Sequence, residues 1–355
     1  VLNNLVKQLS ELHGPSGYEQ NVTYFIRDYV KEKADTVKVD SMGNVIARKK
    51  GTKPGPVTLL TAHMDEVGFI VKKIENNGLL RFEKLGGHDD RNLLAQPVKV
   101  LGSKQDLDGI IGTISTHFLK FDDPKKVRPH SNLYIDIGAS SKQDAIEMGV
   151  EVGTPVTWAT ETKVIGKEDK QMIVGKALDD RAGCAVLLSV LNNLKDKEFA
   201  GELVFLFTVQ EEVGLRGAQA AMNALENVDI AIAVDTTAVS DTPEETMDQS
   251  LFLGAGTGIK VMDFSLIVQK TIKDALKKVA EKANIPYQLE VFPGIATDGG
   301  AVALANTGLP TGVLSIPSRY THSPVEMISI TDLVATRDLM QAFIFSLDEQ
   351  SSFLF

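Results

Sequence analysis

The sequence predicts an α/β protein interrupted by a β-rich insertion. Two observations carry this. In residues 1–70 and 163–355, apolar runs suited to buried strands alternate with helical patterns. Between them, residues 71–162 carry short β-rich runs parted by glycine turns, with little helical periodicity. The chain of 355 residues is 43% apolar and 24% charged, which suits a soluble protein with a sizeable core.

The elements follow in order. Residues Asn4 to His13 read as a short helix closed by "GPSG", and Glu19 to Lys33 as a second. "TVKVDSMGNVIARKKG" reads as a hairpin turning at Met42-Gly43-Asn44. "PVTLLTAH" is continuously apolar, which predicts a strand buried on both faces. The insertion follows, with one helical turn near Lys142 to Met148. Beyond it, Ala182 to Asn193 reads as a helix, "GELVFLFTVQ" as a buried strand, and Gly217 to Leu225 as a helix. "DIAIAVDTT" is a strand and "SLIVQKTIKDALKKVAEKANI" a long amphipathic helix. "YQLEVFPG" and "TGVLSIPS" are strands, and "ISITDLVATRDLMQAFIFSL" is the last helix.

Several partner classes are disfavoured. A net charge of -10 argues against binding a nucleic-acid backbone. No segment reaches the roughly 18 apolar residues of a membrane span, and the first residues lack the apolar core of a secretory leader. The single cysteine, Cys184, excludes an internal disulfide, and its apolar helical surroundings predict a buried, inert thiol. Together these predict a cytoplasmic protein.

Residues with metal-ligand chemistry collect at the ends of the apolar runs. His63 closes "VTLLTAH", with Asp65 and Glu66 just beyond. Glu211 and Glu212 follow "LVFLFTVQ", Asp235 follows "IAIAV", and His322 lies after "TGVLSI". Asp179 and Asp180 precede the helix at Ala182. In a mostly parallel sheet, the carboxyl ends of strands converge on one crevice. Each residue alone has a structural explanation: a hydrogen-bonded core histidine, a solvated acidic loop, a helix cap. Repetition at separate strand ends and helix starts favours a divalent-metal site. Two ions need one bridging carboxylate and about two further ligands each. The inventory supplies this and leaves one glutamate as a base. His13, His88, His117 and His130 are read as structural or exposed, His88 in "GGHDDRN" being the one to watch. "GAGTGIK" lacks a phosphate-binding pattern.

The stretches "AHMDEVGF", "GKALDDRAG", "VQEEVGLRGA", "AVDTT", "ATDGGA" and "SRYTHSPVE", in this order, resemble the M42 metallo-aminopeptidases, which include glutamyl aminopeptidases and the tetrahedral TET peptidases. The resemblance covers nearly the whole chain. It implies a zinc-peptidase-like α/β/α catalytic domain, residues 1–70 and 163–355, carrying a small β-barrel dimerisation domain, residues 71–162. It also implies two divalent ions per subunit, zinc or cobalt. Asp179 would bridge them, His63 and Asp235 completing one set and Glu212 and His322 the other. Glu211 would be the general base and Asp65 would orient His63. A cis peptide is expected at Asp179-Asp180. The implied activity is removal of N-terminal residues from peptides with a free amine, within a homo-oligomer, a dodecamer built from dimers.

Two other functions use parts of this inventory. A glycoside hydrolase needs two carboxyl groups across a sugar and no histidine pair, and the chain has one tryptophan and 6% aromatics, a poor sugar groove. A metal-dependent deacylase would use the same water activation on an N-acylated substrate. By the resemblance, "AGTGIK" and "VFPGIATDGG" face the substrate; Lys260 either favours an acidic side chain or faces solvent.

Overall fold

The computed structural model describes residues 2–121 and 125–354. The chain opens with α1 (Leu2–Glu11), α2 (Gln20–Val30), β1 (Thr36–Val39), β2 (Val45–Lys50) and β3 (Lys53–His63). Next come β4 (Gly68–Ile74), β5 (Leu80–Leu85), β6 (Pro97–Leu101), β7 (Asp106–Ile111), β8 (Ile135–Asp136), α3 (Lys142–Glu147) and β9 (Pro155–Trp158). The rest comprises β10 (Lys163–Ile165), β11 (Met172–Gly175), α4 (Leu178–Asn193), β12 (Ala200–Thr208), α5 (Arg216–Met222), β13 (Ile230–Ala238) and β14 (Thr257–Asp263). It closes with α6 (Lys270–Ala283), β15 (Tyr287–Phe292), α7 (Asp298–Ala303), β16 (Thr311–Arg319), β17 (Glu326–Ser329) and α8 (Ile330–Ser346).

The main sheet runs β1-β2-β12-β3-β13-β16-β17-β11-β10, with β14 and β15 attached beside β16. Its centre, β12-β3-β13-β16, is parallel, while β2 and β17 pair antiparallel at either side. The continuous apolar runs follow from burial on both faces. Along β12, Leu203, Phe205 and Phe207 pack into one core, while Val204 and Leu206 pack into another. The first core is covered by α1, α2, α4, α6 and α8, the second by α5 and α7. The result is a three-layer α/β/α body. α4 is buried on nearly every side, which explains its lack of a polar face.

The strands β4-β5-β8-β7-β6-β9 close into a barrel, so the β-rich texture becomes a compact unit without free edges. Its core holds Phe69, Phe82 and Trp158. Glu66, fully buried between β3 and β4, ties the barrel to the sheet. Its carboxylate accepts from Lys176 Nζ at 2.9 and 2.8 Å, from Gly14 N–H at 2.9 Å and from the Thr157 hydroxyl at 2.8 Å. Arg181 lies 3.6 Å away.

Some elements differ from the sequence reading: β17 takes the first two residues of the stretch read as the last helix, which begins at Ile330. The amphipathic pattern from Ser265 becomes helical only at Lys270. Asp263 accepts from the backbone N–H of Ser265 and Leu266, both at 2.7 Å, and this turn outcompetes the helix. The preceding residues, given no element in the sequence reading, form β14. Among the described residues no helix is long and apolar enough to cross a membrane.

Candidate metal centre and active site

Parallel pairing brings the strand ends to one crevice. His63 is the last residue of β3 and sits opposite Thr208 of β12. Glu211 and Glu212 lie just past β12, beyond Val209 and Gln210, Asp235 lies in β13, and His322 follows β16. Asp179 enters from the start of α4, where the Asp179-Asp180 peptide is cis. Regular helical geometry begins only after Asp180, as the helix read from Ala182 requires.

Asp179 presents one carboxylate oxygen to each imidazole. Its Oδ1 is 3.3 Å from His63 Nε2 and its Oδ2 is 3.3 Å from His322 Nε2. Asp235 Oδ1 lies 3.7 Å from His63 Nε2, and Glu212 Oε2 lies 3.1 Å from His322 Nε2. Two donor groups result, His63-Asp179-Asp235 and Asp179-Glu212-His322, each with its ligand atoms within 4.8 Å of one another. Asp179 belongs to both. Glu211 belongs to neither, yet lines the same cavity.

The electrostatics describe a cluster built for cations. Burial opposes protonation of both imidazoles, yet the surrounding carboxylates, Asp179 foremost for His63 and Glu212 for His322, hold them well above the usual histidine range. Burial pushes Glu211 well up and Asp235 up to about 7. Buried oxygens of Asp179 and Glu212 have no hydrogen-bond partner. Unsatisfied carboxylate oxygens are costly in a protein interior. Divalent ions would satisfy them, and imidazole with carboxylate is a fitting donor set.

A second layer fixes these groups. Asp65 is fully buried, with Oδ1 3.4 Å from His63 Nδ1. The same carboxylate accepts the backbone N–H of Glu211 at 2.9 Å, that of Glu212 at 3.2 Å and the Ser16 hydroxyl at 2.6 Å. Sequence reasoning missed Glu326. Its Oε2 accepts Asp179 N–H at 3.0 Å and its Oε1 accepts His322 N–H at 2.9 Å. The only sequence signal was its place four residues after His322. The Cys184 thiol is buried and donates to the His63 carbonyl at 3.0 Å; burial pushes its pKa well up, so it is unreactive.

Non-glycine residues at Ala177, Gln210, Leu215, Tyr320 and His322 are left-handed, with φ from 52° to 62°. Such residues cost about 1 kcal/mol or more each and gather where a site needs particular geometry. Gly87 leaves room for the ligand ring: a Cβ there would sit 3.3 Å from His322 Nδ1.

The remaining histidines stay outside the cluster. His88 stacks on Phe69 at 4.5 Å, and its Nε2 contacts the Gly68 carbonyl at 2.9 Å. His130 pairs with Glu83 at 2.9 Å, His13 lies 4.0 Å from Asp106, and His117 is exposed. Lys260 neither faces solvent nor lines the cavity. It is fully buried, 3.0 Å from Glu290 and 3.7 Å from Asp263.

The profile of the M42 glutamyl aminopeptidase family matches residues 43–339. The chain belongs to the M42 peptidase family. It is an aminopeptidase, a hydrolase of peptide bonds. This M42 chain is 32% identical over 344 residues to the lysyl aminopeptidase of Pyrococcus furiosus, covering 96% of each protein. The TET aminopeptidase of a marine-sediment Thaumarchaeota archaeon superposes with a TM-score of 0.92 at 36% identity, covering 98% of this chain and 97% of that one. The Pyrococcus horikoshii TET1 peptidase, which can assemble into a tetrahedron or a large octahedral shell, superposes at 0.87 with 35% identity, covering 98% and 100%. Catalytic body and barrel insertion are thus shared with TET peptidases.

Proposed function

We propose that this aminopeptidase works with two divalent ions, zinc or cobalt, held by His63, Asp179 and Asp235 on one side and Asp179, Glu212 and His322 on the other. The observation that carries the reading is Asp179 offering one oxygen toward each imidazole at equal distance. When bound, the ions polarise the scissile carbonyl and supply a nucleophilic water at neutral pH.

The chain's own groups do the rest. Glu211 lines the cavity outside both donor groups and is free to take the water's proton and pass one to the leaving amine. Asp65 holds the His63 ring and the backbone of both glutamates. The carboxylate-rich wall attracts the substrate's free α-amine, which orients the first peptide bond toward Glu211. A glycosidase would need two carboxyl groups set across a sugar, whereas these alternate with imidazoles inside clusters under 4.8 Å wide.

In this reading residues 71–162 form the dimerisation unit and dimers build a dodecamer; the twelve-chain count is supported by likeness to a TET1 structure described as a dodecamer. Confinement in such a shell restricts substrates to peptides, and the location is the cytoplasm. The test compares a free-amine dipeptide with its N-acetylated form before and after chelation. Cleavage of the free form alone, lost on chelation and restored by zinc or cobalt, supports the reading. Equal cleavage of the blocked form moves the protein to the deacylases.

A further inference from the structure

We infer that the N-terminal side chain of the substrate enters a neutral, apolar pocket, so this enzyme selects uncharged apolar N-terminal residues over acidic or basic ones. The inference rests on the aminopeptidase reading and names the substrate class for that site. The cavity at the cluster measures about 520 Å³, a size that takes a peptide end. His63, Asp179, Glu211, Glu212, Asp235 and His322 form one end of it. Leu215, Ala238, Phe292, Ile295 and Ala296 contribute to the remaining wall. Among the described residues no lysine or arginine lines it.

An acidic side chain would therefore meet no counter-charge. The nearest candidate from sequence, Lys260, is spent on Glu290 and Asp263 behind the wall. Glu290 in turn accepts from the Thr237 hydroxyl at 2.5 Å and is nearly inaccessible. A basic side chain fares no better. Every carboxylate that reaches the cavity belongs to the reacting end, where the α-amine and the scissile bond sit. A charge placed against the Phe292–Ile295 wall loses hydration without a partner. Leucine, methionine or phenylalanine at the same place removes apolar surface from water on both sides.

The test uses the metal-loaded full chain and 4-nitroanilides of leucine, methionine, phenylalanine, alanine, glutamate and lysine. The expected kcat/KM for leucine, methionine and phenylalanine exceeds that for glutamate and lysine by about 10²-fold, with alanine between. Ile295→Lys puts a cation on the apolar wall and should raise the glutamate-to-leucine ratio by about 10-fold; an unchanged thermal midpoint checks its fold. Glutamate or lysine cleaved as well as leucine by the unaltered enzyme overturns the inference. So does a ratio that Ile295→Lys leaves unmoved. Absence of cleavage of every free-amine substrate, free dipeptides included, strikes the aminopeptidase reading instead.

Discussion

Asp65 accepts the backbone N–H of Glu211 at 2.9 Å through the same oxygen that lies 3.4 Å from the His63 ring. One buried residue therefore sets both: its backbone carbonyl, 3.3 Å from His63 Nδ1, and its carboxylate hold the imidazole, and the carboxylate holds the backbone of the residue assigned as base. Asp65→Asn keeps the size but turns one acceptor oxygen into a donor. It should lower activity by about 10- to 100-fold. Steady-state kinetics at saturating zinc checks this; full activity would mean that Asp65 only fills space.

Glu211 and Glu212 are neighbours with different work. Glu211→Gln should reduce turnover by about 10²-fold or more with metal content intact. Glu212→Gln should lose metal first and regain part of its rate in excess metal. Mass spectrometry of metal content beside turnover decides it. Metal loss in the Glu211 variant with full retention in the Glu212 variant reverses the assignment.

The placement of His63 at the end of β3, and of Glu211, Glu212 and His322 beyond β12 and β16, was legible because the mostly apolar, two-sided burial of these strands directs charged side chains past them; Asp235 lies inside β13, three residues before its end. The barrel was legible from its change of texture. Glu326 was not, because its role depends on the left-handed turn at Tyr320 and His322, which a non-glycine sequence does not announce. Lys260 was misread because it lies with Asp263 on β14, which local pattern did not reveal as a strand, and its pairing with Glu290 depends on β14 lying beside β15. The Glu66 junction gathers Gly14, Thr157 and Lys176, the last 110 residues from Glu66, and no local motif marks it.

Glu326 should matter without touching a substrate. Glu326→Ala frees the backbone N–H of both Asp179 and His322. Metal affinity should fall by about 10- to 100-fold, while Glu326→Gln, which keeps one of the two acceptor oxygens, should lose less. Zinc titration followed by a chromogenic chelator measures both.

The Glu66–Lys176 pair is fully buried. Removing one partner should destabilise by about 3 to 5 kcal/mol, and Glu66→Gln with Lys176→Met should cost less than the two singles summed. Burial opposes ionisation of Glu66, but Lys176 and Arg181 hold its pKa below its ordinary 4.5. Its stabilisation is complete above about pH 4.5 and is lost as pH falls through the lower folded value. Urea unfolding across pH 3 to 7 should show a weaker acid slope in the double variant; an identical slope would remove Glu66 from the acid response.

Anomalous diffraction from crystals replete with zinc tests the central claim most directly. The account predicts two peaks per chain, one beside His63 and Asp235, the other beside Glu212 and His322, with one oxygen of Asp179 directed to each. A single peak, or peaks with fewer than three of these five residues within ligand distance of an ion, would contradict it.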